Sequence, residues 1–319
     1  MKKNVLVAGC GSIGKRHALL LNARTDINIR LCDPVADNMD SICKEIKVEK
    51  TFVNYKDALC EKPDCVWICT PEALHSEMAV EALKLNIDVF CEKPVSDNIS
   101  SAEKIITALK SSRAKMAVGY VLRYTKAYSS IKSLLDAGSI GNLVGAEVSL
   151  GAYDTLTCAK SDFYIRQPYS LILTYTHEFD YLRWFLGPVK EIIGFSNVLG
   201  NLPEKPSPNV AGAVLRFEKG PIATLMMDYI RSPGERTIRL TGDKGSMYYS
   251  SCDRKIYLSR YGVKDIEITD VSEERNTSFI KEHDNFFRYI AGEKAVTITV
   301  EDAMETLMTA QKLIDYMEK

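Results

Sequence analysis

The feature that most constrains this chain is Gly9-Cys10-Gly11-Ser12-Ile13-Gly14, a GxGxxG run set directly behind the apolar stretch at 5–8 and opening a helical pattern that continues through 18–21. Three glycines at this spacing say little alone. Between a strand and a helix they specify one geometry. Gly9 permits a tight turn, Gly11 lets the backbone approach a pyrophosphate, and Gly14 lets helix and strand pack closely. Free N–H groups near Ser12 and Ile13 then face the anion. Nineteen positions beyond Gly14, Asp33 ends a second apolar run, where a carboxylate accepts hydrogen bonds from ribose hydroxyls and repels a 2′-phosphate. Pro34 follows, with no arginine directly after it, so the cofactor expected is NAD rather than NADP; Arg30, or Lys15 and Arg16, are the residues that could compensate.

The rest of the first 121 residues repeats the strand-then-helix texture. Apolar runs at 5–8, 27–32, 65–69, 88–91 and 116–118 read as strands, with helical patterns at 14–23, 36–45, 55–60, 71–85 and 99–110. Nearly continuous apolar strands alternating with helices predict a parallel sheet covered on both faces, a doubly wound Rossmann domain of the α/β class. After a helix at 124–136 and a turn at 137–139, longer strand patterns appear at 143–150, 189–198, 210–217, 222–229, 237–241, 246–250 and 256–258. Glycine-bearing turns at 219–221 and 242–245 join several of these as hairpins, so a large, mainly antiparallel sheet is predicted. One amphipathic helix at 169–186 interrupts it. Two more close the chain at 278–290 and 300–317, the last with Thr299 and Asp302 in a capping arrangement. At 319 residues the chain exceeds what one core fills, and the reading is a dinucleotide-binding domain at 1–121 and an α+β substrate-binding and oligomerisation domain at 122–319.

Composition narrows the partners. With 41 basic and 42 acidic side chains the formal net charge is -1, which gives no pull towards nucleic acid or anionic membrane. Apolar runs fall short of the roughly 18 residues a membrane helix needs. Met1-Lys2-Lys3-Asn4 leads straight into a strand pattern, and a cytoplasmic location is expected. The nine cysteines form no CxxC pair and have no histidine at ligand spacing, so structural thiols in a reducing compartment are expected, and no metal.

Oxidising a carbinol needs a base for the hydroxyl proton as hydride leaves, and the reverse reaction needs an acid in the same place. Lys93 is the candidate. It follows the run at 88–91 within Glu92-Lys93-Pro94, at the sheet edge where such folds bind ligands. His177 is the second candidate, sharing a helical face with Asp180, Tyr181 and Trp184 at offsets of three, four and seven. His17, His75 and His283 have no comparable partners in sequence.

Together, Gly9 to Gly14, Cys69-Thr70-Pro71 with His75, Glu92-Lys93-Pro94, Gly119-Tyr120 with Arg123, and His177-Glu178-Phe179-Asp180 with Trp184 and Gly187 resemble, in order and spacing, the Gfo/Idh/MocA oxidoreductases. The resemblance spans the chain and weakens beyond about Gly200. It implies NAD(P)-dependent hydride transfer at a hydroxyl or keto carbon of a sugar, a sugar derivative such as a nucleotide-linked sugar, or a cyclitol. It also implies that Lys93 is the catalytic lysine, that the Lys93-Pro94 peptide is often cis, and that Thr70, Pro71, His75 and Glu92 line the cofactor. Tyr120, Arg123, Tyr153, Arg166 and Asp180 would face the substrate, and pairing of the large sheets would make a homodimer or homotetramer. One departure is clear: the aspartate that usually precedes the histidine by three or four residues is replaced by Thr174 and Leu173. That departure motivates a second reading, a non-catalytic dinucleotide-binding regulator, and a third, a reductase of imines or conjugated double bonds. The intact Glu92-Lys93-Pro94 and His177 favour dehydrogenation.

Overall fold

Strands β1 (Lys3–Ala8), β2 (Ile27–Cys32), β3 (Lys50–Phe52), β4 (Cys65–Ile68), β5 (Asp88–Glu92) and β6 (Met116–Gly119) pair in the order β3-β2-β1-β4-β5-β6, all in parallel. The computed structural model describes residues 2–158, 165, 167–202, 206–295 and 297–319. Every residue of β4 and of β6 is buried, which is why these strands show no polar alternation. Helices α1 (Ser12–Asn22), α2 (Ala36–Cys43), α3 (Tyr55–Cys60), α4 (Glu72–Lys84) and α5 (Ile99–Lys110) make the crossovers. Asn54 caps α3 by accepting from the N–H groups of Lys56 and Asp57, and Asn98 caps α5 by accepting from Ser101. Strand order reverses between β1 and β4, and the crevice beyond their carboxyl ends is where a ligand of such a sheet binds. The short edge strand β3 goes beyond the sequence expectation; three residues carry no readable period.

A 3₁₀ turn, Val121–Tyr124, leads into the second unit, which begins at Leu122. After α6 (Lys126–Asp136) and β7 (Leu143–Gly151) the described residues form the helices α7 (Tyr153–Cys158), α8 (Ser170–Thr174) and α9 (His177–Leu186). Then follow β8 (Val189–Asn197), β9 (Val210–Phe217), β10 (Ile222–Asp228), β11 (Glu235–Gly242), β12 (Gly245–Ser250), β13 (Lys255–Arg260) and β14 (Glu267–Asp270). The eight strands lie in the order β14-β13-β12-β11-β7-β10-β9-β8, and only the β7–β10 pair is parallel. One face is apolar and buried, with Val148, Leu150, Leu215, Leu225, Met227, Ile238 and Leu240 packed against Tyr128, Ile131, Phe179, Leu182 and Phe185 of α6 and α9.

Two expectations need correction. The single helix expected at 169–186 is two, α8 and α9, interrupted at Tyr175, whose backbone leaves the helical region at φ -103° and ψ 38°. Both halves bury apolar residues, so the periodicity runs across a break it cannot register. Residues 275–307, assigned by the sequence reading to the second domain, pack instead with residues 1–121; the second unit comprises 122–274 and 308–319. The reason is visible in α10 (Thr277–Ile290), whose Phe286 packs edge-on and Phe287 tilted against Trp67 of β4. The last helix, α11 (Val300–Met317), starts as its sequence suggests, with Thr299 Oγ1 accepting from the Asp302 N–H at 3.2 Å. No helix among the described residues is long and apolar enough to cross a membrane.

Candidate active site

The glycines of the first turn divide by what surrounds them. Gly9 holds φ +89°, and a Cβ there would lie 2.7 Å from the Cys69 carbonyl and the Thr70 nitrogen. At Gly14 a Cβ would sit 1.8 Å from the Gly9 oxygen. Protein contacts alone demand these two. Gly11 is different, since a Cβ there meets nothing within 4 Å. It precedes α1, a helix with no side-chain cap and no acidic residue in its first turn, so its leading N–H groups are uncancelled positive ends. An open space above uncapped amides fits a pyrophosphate.

Asp33, at the end of β2, is buried next to this turn. Its Oδ2 accepts from the Cys10 N–H at 2.7 Å, and its Oδ1 from the Val35 N–H at 2.9 Å and the Asn38 amide at 3.2 Å. Two of the three basic residues that could favour a 2′-phosphate are engaged elsewhere, Arg30 with Glu49 at 2.8 Å and Lys15 with Glu45 at 2.6 Å, while the third, Arg16, lies 5.1 Å over the Phe279 ring.

The ends of β4 and β5 supply the next layer. His75 lies with one ring nitrogen 2.8 Å from the Thr70 carbonyl and the other 2.8 Å from the Pro94 carbonyl, tying the loop after β4 to the loop after β5. Pro71 starts α4 as its N-terminal flank. Lys93 is half-buried directly after β5, and the Lys93-Pro94 peptide is cis. Glu92 is buried beside it, with Oε1 2.8 Å from His17 Nε2 and Oε2 accepting from the Lys93 N–H at 3.2 Å. Burial alone would raise the Glu92 carboxyl; the hydrogen bond from His17 and the charges of His17, Lys93 and His75 outweigh it and hold it below the usual range. Gly119 makes room, because a Cβ there would come within 2.9 Å of the Phe90 ring and 3.3 Å of Glu92 Oε1. Tyr120 follows, fully buried.

Behind Glu92 stands a group the sequence did not reveal. His17 Nδ1 lies 2.7 Å from His283 Nε2 on α10, and Glu282 is buried in the same interior. The only signal was three polar residues on otherwise apolar helix faces, separated by some 266 positions.

In the second unit His177 is the first residue of α9 and is buried. Asp180, one turn on, takes the Arg123 guanidinium as a fork, Nε to Oδ2 at 3.0 Å and Nη2 to Oδ1 at 2.6 Å, while the guanidinium lies 5.4 Å over the Trp184 ring. These two proposed substrate contacts are thus bound to each other. Glu178 is fully buried and accepts from Arg236 Nε at 2.7 Å. Burial would lower the Arg236 guanidinium, but the Glu178 charge outweighs it and the group is held above its ordinary value. Tyr175 hydrogen-bonds the Thr155 hydroxyl, and Leu173, at one of the positions of the usual aspartate, packs against the apolar core. Tyr153 begins α7, half-buried; Arg166 lies outside the described residues.

Two family models match this chain. One, described as an oxidoreductase family with an NAD-binding Rossmann fold, covers residues 3–120, and the other, the GFO/IDH/MocA C-terminal domain, covers residues 128–248. Among characterised relatives, the myo-inositol 2-dehydrogenase of Thermotoga maritima is 28% identical over 252 residues, 76% of this chain and 73% of that protein. The inositol 2-dehydrogenase of Salmonella typhimurium is 29% identical over 185 residues, 56% of this chain, and there the match spans only about half, 53%, of the relative. Among solved structures, scyllo-inositol dehydrogenase from Lactobacillus casei with bound NAD(H) and scyllo-inositol superposes at a TM-score of 0.84 with 21% identity, over 100% of this chain and 97% of that one, a likeness of fold. Turn, sheet order and both profiles agree that this chain belongs to the Gfo/Idh/MocA family of oxidoreductases, with an NAD-binding Rossmann unit at its start.

Proposed function

We propose that the protein is an NAD-dependent dehydrogenase that transfers hydride between nicotinamide and a CH–OH carbon of a cyclitol, a sugar or a sugar derivative. The observation that carries this reading is Lys93, half-buried at the carboxyl end of β5 beside an ionised Glu92, on the same sheet edge as the open glycine turn. The inositol dehydrogenases among its relatives support a polyhydroxylated substrate. NAD is favoured over NADP because Asp33 stands at the ribose position and both Arg30 and Lys15 are paired.

Bound NAD would supply the hydride acceptor. The chain's own part is the proton: the Lys93 amine takes it from the substrate hydroxyl in oxidation, and the ammonium returns it in reduction. His177 is assigned the supporting role in that proton transfer. With Leu173 and Thr174 in place of an aspartate, no carboxylate stands at that position to orient it, and Lys93 carries the greater share. A second copy of the chain is the expected partner of the large sheet.

The test is a panel of cyclitols, aldoses and nucleotide sugars, and their keto forms, followed through NADH absorbance. On a confirmed substrate, Lys93→Ala is expected to lower kcat by roughly 10²–10⁴-fold with NADH affinity unchanged. Equal turnover in parent and variant removes the assignment.

A further inference from the structure

Two buried carboxyls share the interior of the first unit, and they differ in one respect. Glu92 has an imidazole 2.8 Å away, whereas neither oxygen of Glu282 has a hydrogen-bond partner among the described residues. Their ionisation diverges accordingly. Burial, and then the charge of Glu92, push Glu282 well above the usual carboxylate range. Glu92 stays charged because His17 donates to it. Environments that separate two neighbouring titratable groups in this way mark which of them carries the charge.

Of the two neutral forms of His17, one tautomer can do this. A neutral imidazole with its proton on Nδ1 would present a lone pair to Glu92, and that carboxyl would then have to be protonated to bond with it. His283 decides the matter. Burial, then His17 and Arg24, hold its imidazole well below the ordinary range, which favours the neutral ring. When His283 donates from Nε2 across the 2.7 Å contact, His17 Nδ1 is occupied as an acceptor and its proton is confined to Nε2, facing Glu92. The titratable and charged groups around Glu92 among the described residues are His17 and Arg16 from α1, Cys69 beyond β4, His75 from α4, Cys91 and Lys93 on its own segment, and Glu282 and His283 from α10. Of these, His17 brings its side chain within 2.8 Å of the carboxylate.

We infer that His283 and His17 are positioning residues for Lys93: His283 fixes the His17 proton on Nε2, and His17 thereby keeps the Glu92 carboxylate ionised beside the lysine. This rests on the role given to Lys93 above. An anion next to the amine favours the ammonium form, so the pair sets the pH at which the lysine changes from acid to base. A residue of α10, 190 positions along the chain, thus tunes the group that follows β5.

The experiment is NMR of the whole protein with ¹³C-labelled lysine, the Lys93 signal assigned by its absence in Lys93→Arg, titrated without substrate. Glu92→Gln, His17→Phe and His283→Phe should each move the Lys93 midpoint to lower pH by about one unit. The double variant His17→Phe/Glu92→Gln should shift no further than either single one. His283→Gln, whose amide can donate from the same place, should titrate like the parent. Additive shifts in the double variant, or a parent-like midpoint in folded His17→Phe, overturn the inference. Should the phenylalanine variants not fold, ¹⁵N shifts of the parent imidazoles decide: His17 protonated at Nε2 supports it, and His17 protonated only at Nδ1 overturns it. Neither readout uses turnover. Absence of any dehydrogenase activity would remove the proposed reaction and leave the relay standing, whereas an active enzyme with an indifferent Lys93 would do the reverse.

Discussion

At the scale of single residues, the glycine turn separates what the fold requires from what a ligand requires. A methyl group at Gly14 would drive into the Gly9 carbonyl at 1.8 Å, and no rotamer relieves a backbone clash. Gly14→Ala should therefore destabilise the protein by about 1–3 kcal/mol or more, read as a lower urea midpoint. Gly11→Ala puts its methyl into open space, so the same melt should change little, while NADH affinity falls by about tenfold or more. Unaltered NADH binding in Gly11→Ala would mean that this space is not where the cofactor rests. The turn and its Asp33 were legible in sequence because their meaning is local, a spacing beside a strand. The place of Lys93 directly after β5 was legible for the same reason. The His17–His283 contact was not, because a buried histidine reads identically whether its partner is a water, a carbonyl or another imidazole far along the chain. Arg123 and Asp180 show the same limit, since each alone suggested a ligand contact and their mutual fork lies 57 positions apart in sequence.

Among the elements, α10 repays study because it leaves the unit its neighbours in sequence belong to. Trp67 and Phe90 lie with centroids 5.1 Å apart on the sheet, and Phe286 meets both edge-on at 4.8 and 5.7 Å. Such a fully buried phenylalanine typically costs about 3–5 kcal/mol when cut to alanine. The chain has 2 tryptophans, Trp67 in the first unit and Trp184 in the second, so Trp184→Phe leaves a reporter of the first unit alone. In that background Phe286→Ala should lower the urea midpoint of Trp67 fluorescence markedly; an unchanged midpoint would show that α10 does not hold the sheet. The helix itself was legible from its apolar period. Its destination was not, because periodicity tells a helix which face to bury and not against what. By the same logic β14, with all four residues exposed, carried no pattern to read, and the break at Tyr175 left the apolar stripe of α8 and α9 uninterrupted.

For the molecule as a whole, the large sheet leaves a problem that one chain does not solve. Its inner face is covered by α6 and α9, but along β8, β9 and β10 the opposite face carries Ile193, Phe195, Val214, Ile222 and Met226 into water, Phe195 with 80% of its surface exposed. The register aligns them: Phe195 and Met226 both sit across from Gly212, and Ile193 pairs with Val214, so a groove of about 710 Å³ runs between side chains with few polar groups. Monomeric proteins seldom leave a contiguous apolar patch beyond a few hundred Å² uncovered, and along 192–195 and 222–227 buried and exposed residues alternate, which sets these side chains on one face. A second copy presenting the same face satisfies the patch on both chains at once, as a two-fold interface does. Light scattering of the parent at micromolar concentration should therefore give at least twice the 35.7 kDa of one chain. Phe195→Asp with Met226→Asp should return it to one, with NADH affinity retained because the glycine turn belongs to the other unit. A parent that stays at single-chain mass across the concentration range would mean that this face meets something other than itself.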